Sequence, residues 1–307
     1  MIPPMIRDAT IFSCLLALLS TGLTLTYMTT KVPNFAHGSF AAMTTYITLI
    51  LVRILKTNPY FSMGLGFILG GIIALALYQV ILKPLLDRGA SYIVLMIATI
   101  AYDMILYSLI NILADYLTKT YKIPTTLYIL KSYDFRVFHQ PCIFIVAPVT
   151  AILVIIFLYL LLTKTRFGIA MRAAIENPAL AGVVGINVNL TYAASWFIAG
   201  GLAGVAGALL PLWLMCNPDI GGRLIVSVFA ASIVGGLTNI YGAFLGGILI
   251  GMAEVLGTGY LSLTIGTWIA PYRPIIPLVI MAVTLLFAPQ GLTGIGLKFL
   301  KRRSGEK

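Results

Sequence analysis

The stretch that decides the fold is KVPNFAHGSF, residues 31–40, which combines a proline, an asparagine, a histidine and a glycine. One uncharged run, 9–30, ends beside it, and a second uncharged run, 32–52, starts within it. Each run has the ~20 residues that a helix needs to cross a bilayer. Because Pro33 lacks a backbone N–H and disfavours helix at the preceding residue, the chain must break or turn here. The stretch therefore predicts two membrane helices joined by a polar break.

The composition of the chain indicates the same class. Of 307 residues, 60% are hydrophobic and 9% are charged, whereas roughly a quarter are charged in ordinary globular domains. The mean hydropathy is +1.02. We therefore expect an all-α, polytopic helical membrane protein embedded in the lipid bilayer of the cell (inner or plasma) membrane. A β-barrel is disfavoured, because barrel strands are ~10-residue alternating segments and these runs are continuous.

Charge and cysteine usage exclude several other classes. The net charge of +11 fits Lys and Arg held at the cytoplasmic face, so no nucleic-acid partner is expected. The three cysteines lie in apolar runs without paired spacing, which indicates neither disulfides nor a metal site. The histidines are His37 and His139, and the sequence contains no metal cluster, no catalytic triad and no P-loop motif. We therefore expect no enzymatic activity, no ATP hydrolysis by the P-loop route and no cofactor.

Nine long, predominantly apolar runs are candidate membrane spans. They lie near 9–30, 32–52, 60–82, 91–113, 141–163, 190–213, 222–238, 239–257 and 274–297. The glycine-rich region 222–257 leaves the count open, because it could hold one long span, two short ones or a broken helix. The sequence therefore predicts eight to nine transmembrane helices in a single domain, residues 1–307.

Basic residues indicate the orientation. Ten of them lie in three segments, five in the last and five in the first two together: LKPLLDRG (82–89), TKTRFGIAMRAA (163–174) and KFLKRRSGEK (298–307). The positive-inside rule favours placing all three in the cytoplasm. The N terminus and the loop 114–140 then lie outside, together with Arg53 and Lys56, which count against this orientation.

The segment 163–192 is predicted to form a projecting structure. Residues 167–175 fit a short amphipathic helix with Met171 and Ile175 on one stripe. The Asn177-Pro178 pair is a natural stop and restart for a helix. Periodicity leaves two interpretations open, a helix on the membrane surface or a docking helix for a cytoplasmic partner.

Glycines in two late segments have the spacing that brings helices together in lipid. They occur in FIAGGLAGVAGALL (197–210) and IVGGLTNIYGAFLGGILIGMAE (233–254). Small residues four apart let helix backbones approach closely. Tight helix packing is therefore expected at Gly200, Gly204, Gly235, Gly236, Gly246 and Gly247.

These motifs, taken in order, resemble the permeases of branched-chain amino acid ABC transporters of the LivH type. The resemblance rests on VPNFAHGSF (32–40), RFGIAMRAAIENPALAGVVGIN (166–187), the two glycine segments and APQGLTG (288–294). It implies an importer subunit that pairs with a sister permease. It also implies two cytoplasmic ATPase subunits and an extracytoplasmic substrate-binding protein. The segment 163–189 would then be the ATPase-coupling segment, with Arg166, Phe167, Gly168, Met171, Arg172, Ala173, Glu176 and Asn177 as its contact residues.

The sequence departs from the family pattern after the histidine. The family usually has an acidic residue after His-Gly and a Gly-Ala-Tyr a few residues later, where this chain has Ser39 and TTY (44–46). This affects the expected substrate more than the function. Urea, short amides and sugars therefore remain alternatives to branched-chain amino acids.

Two further interpretations concern polar residues within the apolar runs. Asn34, His37 and Ser39 either form a short polar turn at the cytoplasmic surface or line the inner end of a translocation pathway. A neutral imidazole can donate one hydrogen bond and accept another, so His37 need not be charged. Asp103 lies in mid-span and raises the alternative of an ion-coupled secondary transporter.

Overall fold

The structure, a computed structural model, describes residues 3–137 and 140–293 and is predominantly helical. Its helices are α1 Pro4–Thr30, α2 His37–Arg53, α3 Ser62–Ala76, α4 Lys83–Asp87, α5 Tyr92–Tyr121, α6 Ile143–Lys164, α7 Arg166–Glu176, α8 Pro178–Val183, α9 Val188–Leu209, α10 Ile220–Gly235, α11 Ile240–Thr264 and α12 Ile275–Phe287. A π-helical stretch, Leu77–Leu82, joins α3 to α4. Pro84, which has no N–H for an intrahelical bond, follows that stretch. His139 and the basic tail 298–307 lie outside the described residues.

The polytopic helical membrane fold is confirmed. Seven helical segments in the described ranges are long and apolar enough to span a membrane: Pro4–Thr30, Pro59–Asp87, Tyr92–Tyr121, Ile143–Lys164, Val188–Leu212, Ile240–Thr264 and Ile275–Thr293. The two other predicted spans correspond to α2, with 17 residues, and α10, with 16. At 1.5 Å per residue each is about 25 Å long, shorter than a ~30 Å hydrocarbon core. The count of eight to nine stays a prediction.

Two predicted boundaries change in the structure, and one question left open by the sequence is answered. The run 32–52 is not one helix, because 31–36 is irregular and α2 begins only at His37. The segment 114–140 is not all loop, because α5 continues to Tyr121 and buries Ala114 and Leu117. The region 222–257 contains two helices, α10 and α11, separated by a short turn.

The helices form two triplets that run in opposite directions. Helix α1 packs along α11, and α3 packs along α9. The two triplets, α1–α2–α3 and α9–α10–α11, therefore exchange equivalent contacts, as in transporters built from inverted repeats. In their most apolar stretches α1 is 94% buried and α9 is 83% buried, against 11% for α12. Helices α1 and α9 form the core, and α5, α6 and α12 lie at the periphery.

Glycines stand at the helix crossings in both triplets. A Cβ on Gly200 or Gly204 of α9 would collide with the backbone of Gly70 or Gly66 on α3. On α11, Gly247 and Gly246 abut Ala17 of α1 and Ala231 of α10, and Gly235 of α10 abuts Gly242. Such contacts replace the missing hydrophobic driving force between helices in lipid.

Gly236 has a different role from the other predicted packing glycines. It follows the end of α10 with φ 111°, a backbone conformation that side-chain-bearing residues rarely adopt. Its N–H completes the last turn of α10 by bonding to Ser232 O at 2.9 Å. Gly236 therefore terminates a helix and turns the chain towards α11.

The connection between α5 and α6, described for residues 122–137 and 140–142, covers the end of the molecule where α9 finishes. Tyr128 and Cys216 exchange two backbone hydrogen bonds, at 3.0 and 2.8 Å. The Tyr128 hydroxyl donates to Thr45 Oγ1 at 2.8 Å, and burial raises the pKa of this phenol well above its ordinary value. A short hairpin of β1 (Arg136–Val137) and β2 (Gln140–Pro141) follows. This connection therefore lies at the opposite end of the molecule from α7 and α8.

Candidate functional site: the α2–α10 junction and the α7–α8 segment

The break predicted at residues 31–40 turns back into the protein. Lys31 ends α1 in the left-handed conformation, with φ 57°, and its side chain is exposed. The chain then runs against α5, where Thr99 Oγ1 bonds to Pro33 O at 3.3 Å and to Phe35 N–H at 3.4 Å. By Asn34 it is fully buried. The backbone groups freed by the break are thus enclosed in protein, as an interruption at membrane depth requires.

His37 begins α2 beside the middle of α1. Its Nε2 lies 3.0 Å from Leu19 O, and Gly22 on the same helix leaves room for the ring. Leu19 precedes the end of α1 at Thr30 by 11 residues, which is about 16 Å of helix. The histidine is fully buried. It therefore lies inside the helix bundle, and not in a turn at the surface.

The first turns of α2 and α10 meet at two glycines. Gly38 faces the backbone of Gly221, and a Cβ on either residue would collide with the other. Neither helix has a side-chain cap at its N terminus. Helix N termini carry partial positive charge and unsatisfied N–H groups. The meeting of two such ends forms what we call the α2–α10 junction, residues 34–39 and 220–221.

Polar side chains at the junction retain unused hydrogen-bonding capacity. Asn34 Oδ1 accepts from Ala36 N–H at 3.1 Å, but the amide Nδ2 has no partner in the part of the chain that the structure describes. His37 Nδ1 is likewise buried without a partner. Buried polar atoms usually find partners, so such atoms are expected where a ligand or water passes. The junction therefore presents unused hydrogen-bonding atoms inside the helix bundle.

Ser39 connects the junction to the mid-span carboxylate. Its hydroxyl donates to Asp103 Oδ1 of α5 at 2.5 Å. Asp103 is half-buried and faces the first turn of α2. A carboxylate near a helix N terminus is electrostatically favourable. This arrangement gives Asp103 a local partner.

The second candidate region, the α7–α8 segment (166–183), is held by local caps and one apolar face. Thr165 Oγ1 accepts from Gly168 N–H at 3.2 Å, and Asn177 Oδ1 caps α8 by accepting from Leu180 N–H at 3.0 Å. Gly168 packs on the end of α6, and Met171 and Ala174 are buried behind it. The segment is thus fixed to the membrane body.

The opposite face of the α7–α8 segment is open. Among the predicted contact residues, Arg166, Arg172, Glu176 and Asn177 are exposed, whereas Phe167 and Ala173 are half-buried. The α8 side adds apolar surface, with Val183 83% exposed. An exposed face that combines charged and apolar side chains is typical of surfaces that dock to another protein. The eight predicted residues therefore divide into an anchoring face and an exposed face.

The structure thus brings the predicted pathway residues together and keeps them apart from the predicted coupling residues. Asn34, His37 and Ser39 belong to one junction, whereas Arg166–Asn177 lies on the outside of the helix bundle. At Gly38 the sequence predicts that another backbone can come close, and the structure shows that this backbone is that of Gly221. The sequence analysis missed Gly221, because the contact joins residues far apart in the chain.

Comparisons with known proteins identify the family. A family model described as "Branched-chain amino acid transport system / permease component" matches residues 5–289. The chain belongs to this permease family. It is therefore a multi-pass protein of the cell membrane and a transport protein by family.

Curated permeases from an archaeon and from bacteria match nearly the whole chain. A Methanocaldococcus jannaschii protein named probable branched-chain amino acid transport permease protein LivH is 46% identical over 97% of this chain and 94% of its own length. The Pseudomonas aeruginosa permease BraD is 28% identical, and the Escherichia coli permease LivH is 26% identical, each over 91% of both chains. No solved structure matches the chain.

Proposed function

We propose that this chain is the membrane permease subunit of an ABC importer that translocates branched-chain or related amino acids. In this proposal two cytoplasmic ATPase subunits hydrolyse ATP, and a sister permease completes the pathway. An extracytoplasmic binding protein delivers the substrate. The family membership supports the transport role, and the names of the near full-length relatives support the substrate class.

The observation that carries the proposal is the α7–α8 segment. Its buried face ties it to α6 and α9, and the Tyr192 hydroxyl of α9 donates to Ala174 O at 3.0 Å. Its other face exposes two arginines and apolar side chains. Because α9 belongs to the core, a force applied to α7 reaches the packed helices directly. An external motor needs a coupling element of this kind.

The proposed pathway passes the α2–α10 junction. There the helix ends, the unpaired Asn34 Nδ2 and the unpaired His37 Nδ1 offer polar contacts without a fixed charge on the histidine. Discontinuous helices whose N termini face the pathway are a recurrent device in transporters for binding anionic substrate groups. A zwitterionic amino acid carries such a group.

The test is reconstitution of the full complex in proteoliposomes with ATP enclosed on the ATPase side. We expect leucine uptake that requires the binding protein and ATP and that persists when the proton gradient is collapsed. Uptake that follows the proton gradient and ignores ATP would support the ion-coupled alternative through Asp103. Uptake of urea or sugars in place of leucine would show that the proposed substrate class is wrong. A nucleoside ABC permease, Lactococcus lactis NupC, is 37% identical over 33% of this chain, so nucleosides belong in the panel.

A further inference from the structure

A cavity of about 480 Å³ lies at the end of the molecule opposite to the α7–α8 segment. Residues of α1, α10 and α11 and of the connections before α10 and before α12 line it. Its volume falls in the range of ~300–1,000 Å³ that is usual for small-molecule sites. In the predicted orientation it faces the side from which the substrate arrives.

An ion pair forms part of the cavity wall. Arg273 Nε donates to Glu254 Oε1 at 2.6 Å, and Glu254 is only 4% exposed. The guanidinium carbon of Arg273 lies 4.1 Å from the ring centre of Phe12 and 5.5 Å from that of Trp213. These aromatic contacts fix the guanidinium, so its remaining N–H groups have a defined direction.

Each member of the pair retains an unused buried atom. Glu254 Oε2 and Arg273 Nη2 are both buried and have no hydrogen-bond partner among residues 3–137 and 140–293. The Ser227 hydroxyl lies near the Glu254 carboxylate and belongs to the same wall. A pair that only fastened the 267–274 connection to α11 would leave both atoms unsatisfied, at a cost in stability. Oε2 can accept a hydrogen bond from a cation, and Nη2 can donate one to an anion. A ligand that carries both a cationic and an anionic group could bind to the two atoms at once.

The rest of the wall selects the remainder of the ligand. Leu214, Ile220 and Leu224 supply apolar surface. Arg223, which also lines the cavity, already pairs with Asp219: its Nε lies 3.2 Å from Asp219 Oδ2, and both side chains are largely exposed. Urea, short amides and sugars carry no charge, so their hydrogen bonds to these two atoms would lack the added strength of a bond between two charged groups. A small zwitterion with an aliphatic side chain matches both the ion pair and this apolar surface.

We propose that this pocket binds a free α-amino acid with a branched aliphatic side chain, its carboxylate on Arg273 Nη2 and its ammonium group on Glu254 Oε2. The inference rests on the proposed amino-acid transport and adds a receiving site distinct from the α2–α10 junction. The two sites are adjacent, because Ile220 lines the pocket and the next residue, Gly221, contacts Gly38.

The first test measures binding to the complete permease complex in nanodiscs of phosphatidylglycerol, whose head group has no ammonium group to fill the pocket. Calorimetry compares leucine with leucinamide, which lacks the carboxylate, and with 4-methylpentanoate, which lacks the ammonium group. We expect leucine to bind roughly ten- to a hundredfold more tightly than either, because each lacks one charge-assisted hydrogen bond. Equal binding of the three, or no leucine binding at millimolar concentration, overturns the proposal.

The second test uses variants that keep the fold. Glu254→Gln leaves a buried arginine unpaired, so the matching double variant, Glu254→Met with Arg273→Met, replaces the pair by apolar side chains of similar volume. We expect the folded double variant to lose leucine binding by at least about tenfold. Arg7→Gln is the control, because Arg7 also pairs with a carboxylate, that of Asp8 at 3.2 Å, and is similarly buried. Wild-type binding in the double variant overturns the site, whereas absent ATP-driven uptake with intact leucine binding would overturn only the importer function.

Discussion

The α2–α10 junction and the α7–α8 segment are held in place by different kinds of interaction. At the junction, contacts join residues far apart in the chain: Gly38 with Gly221, His37 with Leu19, and Ser39 with Asp103. In the α7–α8 segment the helix caps join residues only three apart, such as Thr165 with Gly168. The junction is buried, and the segment exposes one whole face.

This difference predicts how each region responds to substitution. A change at the glycine contact of the junction acts on packing among several helices, so it affects folding and transport together. A change on the open face of α7 leaves its caps and its buried stripe intact, so it affects only what docks there. Folded yield and transport per folded complex, measured separately, therefore distinguish the two regions.

The largest effect is expected at Gly38. A Cβ there would collide with the backbone of Gly221, and backbone cannot move aside as a flexible side chain can. We expect Gly38→Ala to destabilise the protein by about 1–3 kcal/mol or more, measured as loss of monodisperse protein and a lower unfolding temperature. Gly64→Ala is the matched control, because Gly64 also lies in a membrane helix but has nothing within 4 Å of the added Cβ. Equal stability of the two variants would show that the junction is loosely packed.

The next largest effect is expected on the open face of α7. Arg172→Glu reverses an exposed charge of the proposed ATPase contact without touching Met171 or Ala174 behind it. We expect docking of the ATPase to weaken by a few kcal/mol at most. Substrate-stimulated ATP hydrolysis and uptake should therefore fall, while the folded yield stays normal. Arg88→Glu is the control, because Arg88 is an exposed arginine in the turn after α4, which the predicted orientation places on the same side. Stimulated hydrolysis at the wild-type rate in Arg172→Glu would contradict the docking role.

The parts of the molecule that depend on local sequence were predictable. Apolar runs located the membrane helices, and Asn177-Pro178 marked the end of α7 and the start of α8. The run 32–52 misled the prediction because hydropathy does not distinguish buried irregular chain from helix. Only the tertiary contacts of Pro33 and Phe35 with Thr99 show why that chain enters the bundle. Likewise, Glu254 was visible as a charge in an apolar run, but its partner Arg273 lies in another segment.

A smaller and more selective effect is expected from two variants within the decapeptide itself. His37→Ala removes the contact with Leu19 O and the free Nδ1, so we expect transport per folded complex to fall by about tenfold, the size of one hydrogen bond. Pro33→Ala frees the backbone at the break, so we expect it mainly to lower folded yield. The measurement is leucine uptake normalised to folded complex. Equal yield losses with unchanged normalised uptake would mean that the decapeptide only turns the chain.

The smallest effect is expected at Asp103, where the importer and the ion-coupled carrier give opposite predictions. In Asp103→Asn the Oδ1 atom can still accept the bond from Ser39, so the contact between α5 and the first turn of α2 is kept while the charge is lost. If ATP drives transport, the charge moves no ion, and we expect ATP-driven leucine uptake to stay within about twofold of wild type. Asp103→Leu, which removes the acceptor as well, is expected to lower folded yield and so separates the contact from the charge. Collapse of uptake in Asp103→Asn, with normal yield and with a dependence on the proton gradient in the wild type, would overturn the importer and identify Asp103 as the coupling residue.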